Sequence, residues 1–259
     1  MSASGLGALL ELARRAALRA GPAILDVYNA TATPDVRRKS DASPVTVADE
    51  RAEALIAETL AAGAPDIPMI AEEHCDQHGI PTEVPPRFWL VDPLDGTKEF
   101  LRRNGEFTVN IALIEGDRPV LGIVHVPALG LTFAGAGPGS ATRQQGTMPT
   151  TPITARAVPA SGAVVVHSRS HENEAKLAEY LATLAAPVKR VSGSAVKFCL
   201  IAAAEADLYP RFGPTMEWDT AAGQAVLEAA GGSVLTPEGA PFRYGKPGFR
   251  NGGFLARGR

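Results

Sequence analysis

The chain has 259 residues, 45% hydrophobic and 20% charged, with a net charge of −3. That composition suits a soluble globular protein of one large or two closely joined domains, and the acidic balance leaves no electrostatic footprint for nucleic acid or a membrane surface. Two cysteines, Cys75 and Cys199, exclude a disulfide framework, and no apolar run reaches the roughly 20 residues needed to cross a bilayer, so a cytoplasmic setting is expected, compatible with peripheral membrane association.

The first helix is predicted from about Ser4 to Tyr28, because Leu6, Leu9, Leu10, Ala13 and Ala17 fall on one face. Gly21-Pro22 either kinks or splits it. This reading outweighs a transit peptide, which the scarcity of acids and the presence of Arg14, Arg15 and Arg19 would also allow. Asn29 to Lys39 reads as a connector, and Arg37-Arg38-Lys39 as solvated surface. Thr46 is a candidate N-cap, with Asp49 three residues on, for a second helix from about Val47 to Ala62. Asp49 serves there either as a charge favoured by the helix dipole or as a carboxylate aimed at a reactive water.

Pro68 to Ala71 reads as a short buried strand ending in Glu72-Glu73-His74-Cys75. His74, Cys75 and His78 lack the paired spacing of a zinc module, and Gly79-Ile80-Pro81 reads as loop. Phe88-Trp89-Leu90-Val91 is a second buried strand, and it runs straight into Asp92-Pro93-Leu94-Asp95-Gly96-Thr97-Lys98. Pro93 fixes φ and removes a donor, while Gly96 allows a tight turn. Two carboxylates packed this tightly at the end of an apolar strand are costly unless a cation sits between them. Mg²⁺ is the first candidate, because it is a hard ion that prefers oxygen ligands. With the hydroxyl of Thr97 and the charge of Lys98 alongside, the pattern points to phosphate chemistry.

Phe107 to Ile114, Pro119 to Val126 and Leu129 to Ala134 form strands with short turns, so this part of the sheet is expected to be antiparallel. Gly135-Ala136-Gly137-Pro138-Gly139 has the wrong spacing for a dinucleotide fingerprint and reads as a hairpin tip. Thr142 to Ala160 reads as a connector between two halves, an N-terminal α+β half over 1–160 and a C-terminal α/β half over 161–259. The second half alternates: strand at Ala163–Val166, helix at Glu172–Leu184, strand at Val188–Val191, helix at Ala195–Ala204, strand at Ala206–Tyr209, helix at Trp218–Ala230, strand at Ser233–Leu235. That alternation predicts an α/β layer with helices on both faces. Asp219 falls in the first turn of the helix expected at Trp218.

Glu72-Glu73, Asp92-Pro93-Leu94-Asp95-Gly96-Thr97 and Trp218-Asp219-Thr220-Ala221-Ala222-Gly223 together resemble the signature set of the inositol monophosphatase superfamily. Longer runs, at Lys39–Thr46, Gly96–Phe100, Asn104–Leu113 and Leu208–Thr215, are similar to its bacterial 3′(2′),5′-bisphosphate nucleotidases of sulfur assimilation. The resemblance covers nearly the whole chain and is weakest between Pro138 and Ala160 and over the last residues. It implies an αβαβα layered sandwich, and a monomer or homodimer that hydrolyses 3′-phosphoadenosine 5′-phosphate to AMP. It also implies lithium sensitivity and two Mg²⁺ ions, with room for a third, weaker one. Carried onto this chain, Glu72, Asp92 and the Leu94 carbonyl would hold one ion, and Asp92, Asp95 and Asp219 a second. Asp49 and Thr97 would activate or orient the attacking water, and Glu73 would stand behind the ligands. Glu72, Leu94, Asp95, Gly96, Thr97, Ser194, Lys197 and Asp219 would meet the substrate.

The residues add to this reading. The N–H groups of Gly96 and Thr97 can cradle a phosphate if they start a helical turn. Ser192-Gly193-Ser194 is expected to open a helix, and Lys98, Arg169, Lys197 and Arg211 are candidate charges for a second phosphate; His171 serves either to meet the adenosine or to cap the helix that begins there. The sibling activities, inositol monophosphatase and fructose-1,6-bisphosphatase, share the metal motifs. An aspartyl-phosphate mechanism is rejected, because its two aspartates stand two residues apart whereas Asp92 and Asp95 stand three apart. A non-catalytic binding protein is disfavoured because Asp49, Glu72, Asp92, Asp95, Asp219 and Thr97 are all present.

Overall fold

The computed structural model describes residues 3–29, 36–38, 44–169 and 173–259. His171 and the run Lys39-Ser40-Asp41-Ala42-Ser43 lie outside them. In chain order the elements are α1 (Ala3–Asn29), β1 (Val36–Arg38), β2 (Pro44–Thr46), α2 (Val47–Gly63), β3 (Met69–Ala71), α3 (Glu72–His78), β4 (Arg87–Asp95) and α4 (Thr97–Leu101). Then come β5 (Thr108–Glu115), β6 (Arg118–Val126), β7 (Leu131–Gly135), β8 (Thr142–Gln145) and β9 (Thr151–Pro152). The C-terminal part holds β10 (Val164–His167), α5 (Glu174–Ala182), β11 (Val188–Val191), α6 (Val196–Ala202), β12 (Leu208–Arg211), β13 (Thr215–Met216), α7 (Ala221–Ala229), β14 (Ser233–Leu235), β15 (Arg250–Asn251) and β16 (Phe254–Arg257).

Five layers result. The pair α1 and α2 covers one face of a seven-stranded sheet ordered β3-β4-β5-β6-β7-β8-β9. The helices α6 and α7 lie between that sheet and a five-stranded one ordered β11-β10-β12-β16-β14, and α5 covers the far face. The alternation of side chains along β4 builds two cores at once: Trp89 and Val91 join the α1/α2 core, Phe88 and Leu90 the α6/α7 core. A strand covered on both faces reads as an unbroken apolar run, which is why its sequence does not alternate. The antiparallel expectation holds for β5, β6 and β7, and the antiparallel run extends beyond them to β4, β8 and β9, while β3 runs parallel to β4.

Several expectations change. Gly21-Pro22 does not split α1, which continues through Pro22 to Asn29. The packed face Leu12, Ala13, Ala16, Ala20, Ile24 carries on across it. Gly21 is there for close approach, since a Cβ would lie 2.7 Å from His125 Nε2. The stretch after Thr142 is more than a connector: β8 and β9 extend the first sheet. Glu72 and Glu73 open a short helix, α3, which continues to His78. Cys75 and Cys199 are free and buried, and burial pushes both thiols up, Cys75 to about 11, which disfavours the reactive thiolate.

His125 carries a pH prediction. Burial holds its imidazole neutral, down to about 4, with Nδ1 at 3.1 Å from the Leu131 carbonyl. A depressed folded-state value means the unfolded chain binds the proton first, so stability is full above about 6.5 and falls as the pH drops towards 4. The expected contribution is about 3 kcal/mol at the acid end. Thermal unfolding of the protein and of His125→Gln between pH 4 and 7 checks it: the acid-side slope should be shallower in the variant. Equal slopes would rule the group out.

Candidate active site

The site begins where β4 stops being regular. Its register with β5 pairs Asp92 with Asn110 and then slips before Asp95 pairs with Thr108. Pro93 cannot donate to the ladder, and the bulge it sits in turns the strand end outward. Asp92 is buried and its Oδ1 accepts the Leu94 N–H at 3.0 Å. The Leu94 side chain is buried in the α1/α2 core, so this residue faces the cleft with its backbone. Gly96 follows with φ 92, a left-handed conformation that lets the chain turn directly into α4 at Thr97. Gly96 and Thr97 therefore do start a helical turn, as phosphate binding by their N–H groups requires.

Three other elements bring acids to the same place. The first residue of α3 is Glu72. Asp219 stands on the turn before α7, two residues ahead of the helix and not inside its first turn as the sequence suggested. Its Oδ2 accepts the Met216 N–H at 2.9 Å, which closes that turn. One carboxylate oxygen each from Glu72, Asp92 and Asp219 lie within 4.8 Å of one another. Asp95 borders the same cleft, where its Oδ2 accepts the Ala195 N–H at 2.7 Å. Asp49, in the first turn of α2, is buried and its charge reaches Asp92.

The electrostatic outcome is a set of acids that resist ionising together. Burial, then the charges of Glu72, Asp95, Asp219 and Asp49, hold the Asp92 carboxyl well above the usual carboxylate range. Burial, then Asp95 and Glu72, do the same to Asp219. Asp95 is raised to about 6 by burial, against the pull of Lys197 and the Ala195 N–H. A hard divalent cation is the group that relieves such a cluster, and an all-oxygen donor set suits hard ions, Mg²⁺ among them.

The cleft, about 350 Å³, is lined by both acids and bases. Lys98, Arg169, Lys197, Arg211 and Arg250 border it. Lys197 is buried and already engaged: its Nζ donates to the Ser194 carbonyl at 2.6 Å and lies 5.1 Å over the Tyr209 ring. Arg211, also buried, donates to Ser168 Oγ at 2.8 Å. The expected helix opening at Ser192-Gly193-Ser194 is displaced, because α6 starts at Val196 and these residues form the loop before it. Ser194 adopts φ 44, and its Oγ is buried without a hydrogen-bond partner.

Sequence reasoning missed three residues that shape the cleft. Glu106 receives Arg169 and the Gly193 N–H at 3.1 Å, two residues that line the cleft. Arg250 reaches the rim from β15. Asn251 donates through Nδ2 to the Met216 carbonyl at 2.9 Å and to Thr220 Oγ1 at 3.0 Å, bracing the Asp219 turn. Only Glu106 lay within a quoted motif, where it gave no sign of its partner.

The sequence profile of the inositol monophosphatase family matches residues 6–255. A 3′(2′),5′-bisphosphate nucleotidase CysQ of Shigella flexneri is 45% identical over 253 residues, 95% of this chain and 98% of that protein. The CysQ of Escherichia coli (strain K12) is 44% identical over the same share. Among solved structures, CysQ from Bacteroides thetaiotaomicron superposes with a TM-score of 0.81 at 34% identity, covering 96% of each chain. An inositol monophosphatase from Anabaena gives 0.76 at 27% identity, covering 98% of this chain and 91% of that one.

Proposed function

The chain belongs to the inositol monophosphatase family, and from that premise we propose that it is a Mg²⁺-dependent 3′(2′),5′-bisphosphate nucleotidase. It releases the 3′-phosphate of 3′-phosphoadenosine 5′-phosphate, leaving AMP. The observation that carries the reading is the meeting of Glu72, Asp92 and Asp219 within 4.8 Å, in a cleft also lined by Lys98, Arg169, Lys197 and Arg211. The relatives of highest identity named above are bisphosphate nucleotidases, and Tyr209, Arg211, Pro214 and Thr215 of the nucleotidase-like run border the same cleft.

Glu72, Asp92 and the Leu94 carbonyl would hold one Mg²⁺, and Asp92, Asp95 and Asp219 a second. Bound there, the ions supply phosphate charge neutralisation and an acidified water, so no strong protein base is needed. The chain's own groups do the placing. Asp49, buried and anchored on α2, takes the proton of the attacking water at a carboxylate oxygen, and the Thr97 hydroxyl orients that water. The Gly96 and Thr97 N–H groups at the start of α4 receive the transferring phosphate, and the unpartnered Ser194 Oγ donates to the substrate. Arg211 and Arg169 face the second phosphate. The new water-oxygen bond to phosphorus forms as the bond to the 3′-oxygen breaks, and that oxygen leaves as the hydroxyl of AMP after taking a proton.

The test is a substrate panel with Mg²⁺, with and without Li⁺. 3′-Phosphoadenosine 5′-phosphate should exceed inositol 1-phosphate and fructose 1,6-bisphosphate in kcat/KM by about tenfold or more. Chelation should abolish release and Li⁺ should inhibit it. A sugar phosphate preferred by about tenfold overturns the substrate, and release that survives chelation overturns the metal.

A further inference from the structure

The N-cap position of α3 is Ala71, whose side chain cannot accept a hydrogen bond. The first N–H groups of a helix need acceptors, most of all where the helix start is packed against the rest of the protein. Here the acceptor comes from another helix. Glu53 of α2 takes the Glu73 N–H on its Oε2 at 2.8 Å, and the His74 N–H also bonds to this carboxylate. The capped residues are the second and third of α3, and the first is Glu72 of the acidic cluster. Glu53 also stands one turn beyond Asp49 on α2, four residues along the same face. One carboxylate therefore joins the helix that carries Asp49 to the helix that carries Glu72.

From this juxtaposition we propose that Glu53 is a positioning residue. By capping α3 from α2 it sets the distance between Glu72 and Asp49, and so the fit of the acidic cluster to a divalent cation. The role rests on the metal reading of the cluster given above. It adds a part that no signature motif contains, because Glu53 touches neither substrate nor ion and acts only through the backbone of α3. The cap also explains why a third acid is tolerated beside Glu72 and Glu73. Burial, with the charges of those two neighbours, pushes Glu53 up to about 7 against the two N–H bonds. The protein keeps an acid in an environment that disfavours its charge because two helix N–H groups need it.

Glu53→Met and Glu53→Gln separate this role from simple packing. Both preserve volume, but only the amide keeps an oxygen that accepts the two N–H groups. Mn²⁺, which shares the oxygen preference of Mg²⁺, can be counted by loss of the free-ion paramagnetic resonance signal, with no turnover needed. Glu53→Met should bind Mn²⁺ about 10-fold to 100-fold more weakly, the range expected for loss of a residue that orients a ligand. Glu53→Gln should stay within about threefold of the parent, well inside that loss. Hydrogen exchange on the unaltered protein is a second measurement that needs no variant: the Glu73 and His74 amides should exchange slowly despite their place in the first turn. Unchanged Mn²⁺ binding in Glu53→Met, a Gln variant as weak as the Met one, or fast exchange of both amides overturns the positioning role and leaves the metal reading standing. A parent protein that binds no Mn²⁺ overturns both.

Discussion

Asp92→Asn is expected to abolish Mg²⁺-dependent phosphate release and, in chelator, to make the protein more stable. Asp92 is the acid shared by both proposed ion sites, and its carboxyl is buried at the centre of the cluster. Losing a group that organises transition-state charge costs on the order of 10³-fold, about 4 kcal/mol. The gain in stability has the same origin. Without a cation, ionising Asp92 beside Glu72, Asp95 and Asp219 works against the fold. An acid whose value is raised in the folded state contributes stability at low pH and loses it as the pH rises through the folded value. For Asp95 that window runs from about 4 to about 6. The apo protein should therefore lose stability on this account over that range, and an uncharged amide at Asp92 should recover about 1–2 kcal/mol at neutral pH. Each kcal/mol moves Tm by about 2–4 °C in a chain of this size. Mg²⁺ should raise the parent's Tm far more than the variant's. An apo variant less stable than the apo parent would show that the cluster stores no such repulsion.

Gly122→Ala should be the costliest single-methyl change in the sheet. A Cβ at Gly122 of β6 would lie 2.4 Å from the Ala222 carbonyl oxygen and 2.9 Å from its Cα. Both are backbone atoms of α7, so the helix itself must move. Gly135 on β7 plays the same part against Ala229, where a Cβ would approach to 2.6 Å. Together these glycines seat α7 on the sheet, and Asp219 hangs from the turn that precedes it. The expected loss is about 3 kcal/mol, at the upper end for forcing a methyl into a packed core. That corresponds to a fall in Tm of roughly 6–12 °C. Because the helix shift carries Asp219 with it, Mn²⁺ binding should weaken as well. Gly7→Ala is the contrast: Gly7 is exposed on α1 with open space around it, and alanine there should stabilise by up to about 1 kcal/mol. A Gly122→Ala protein as stable as its parent would show that α7 is not held by this contact.

The α/β class, the antiparallel pairing of β5, β6 and β7 and the strand–helix alternation after Ala163 were legible because apolar periodicity reports which faces are buried; β8 and β9, mostly polar and without a buried residue, were not. The acids were legible as a local oddity, carboxylates at the ends of apolar segments, and the family motifs grouped Glu72, Asp92, Asp95 and Asp219 before any coordinate did. Edges were read less well. Asp219 looked helical because Trp218 extends the apolar pattern of α7 backward, yet the Asp219–Met216 bond and the bracing by Asn251 keep that residue in a turn. Ser192-Gly193-Ser194 looked like a helix start for a similar reason, but Glu106 claims the Gly193 N–H from 87 residues away, and Asp95 claims that of Ala195, the next residue on, from 100 away.

By itself, then, the sequence determined which side chains can bind a hard cation and which segments bury them, since charge, side-chain chemistry and hydrophobic period are local properties. Only the tertiary structure decided how they meet. The bulge at Pro93, the glycine seat for α7 and the Glu53 cap on α3 are each a fit between residues far apart in the chain. Distances of this kind come from packing, which no pattern in a single stretch encodes.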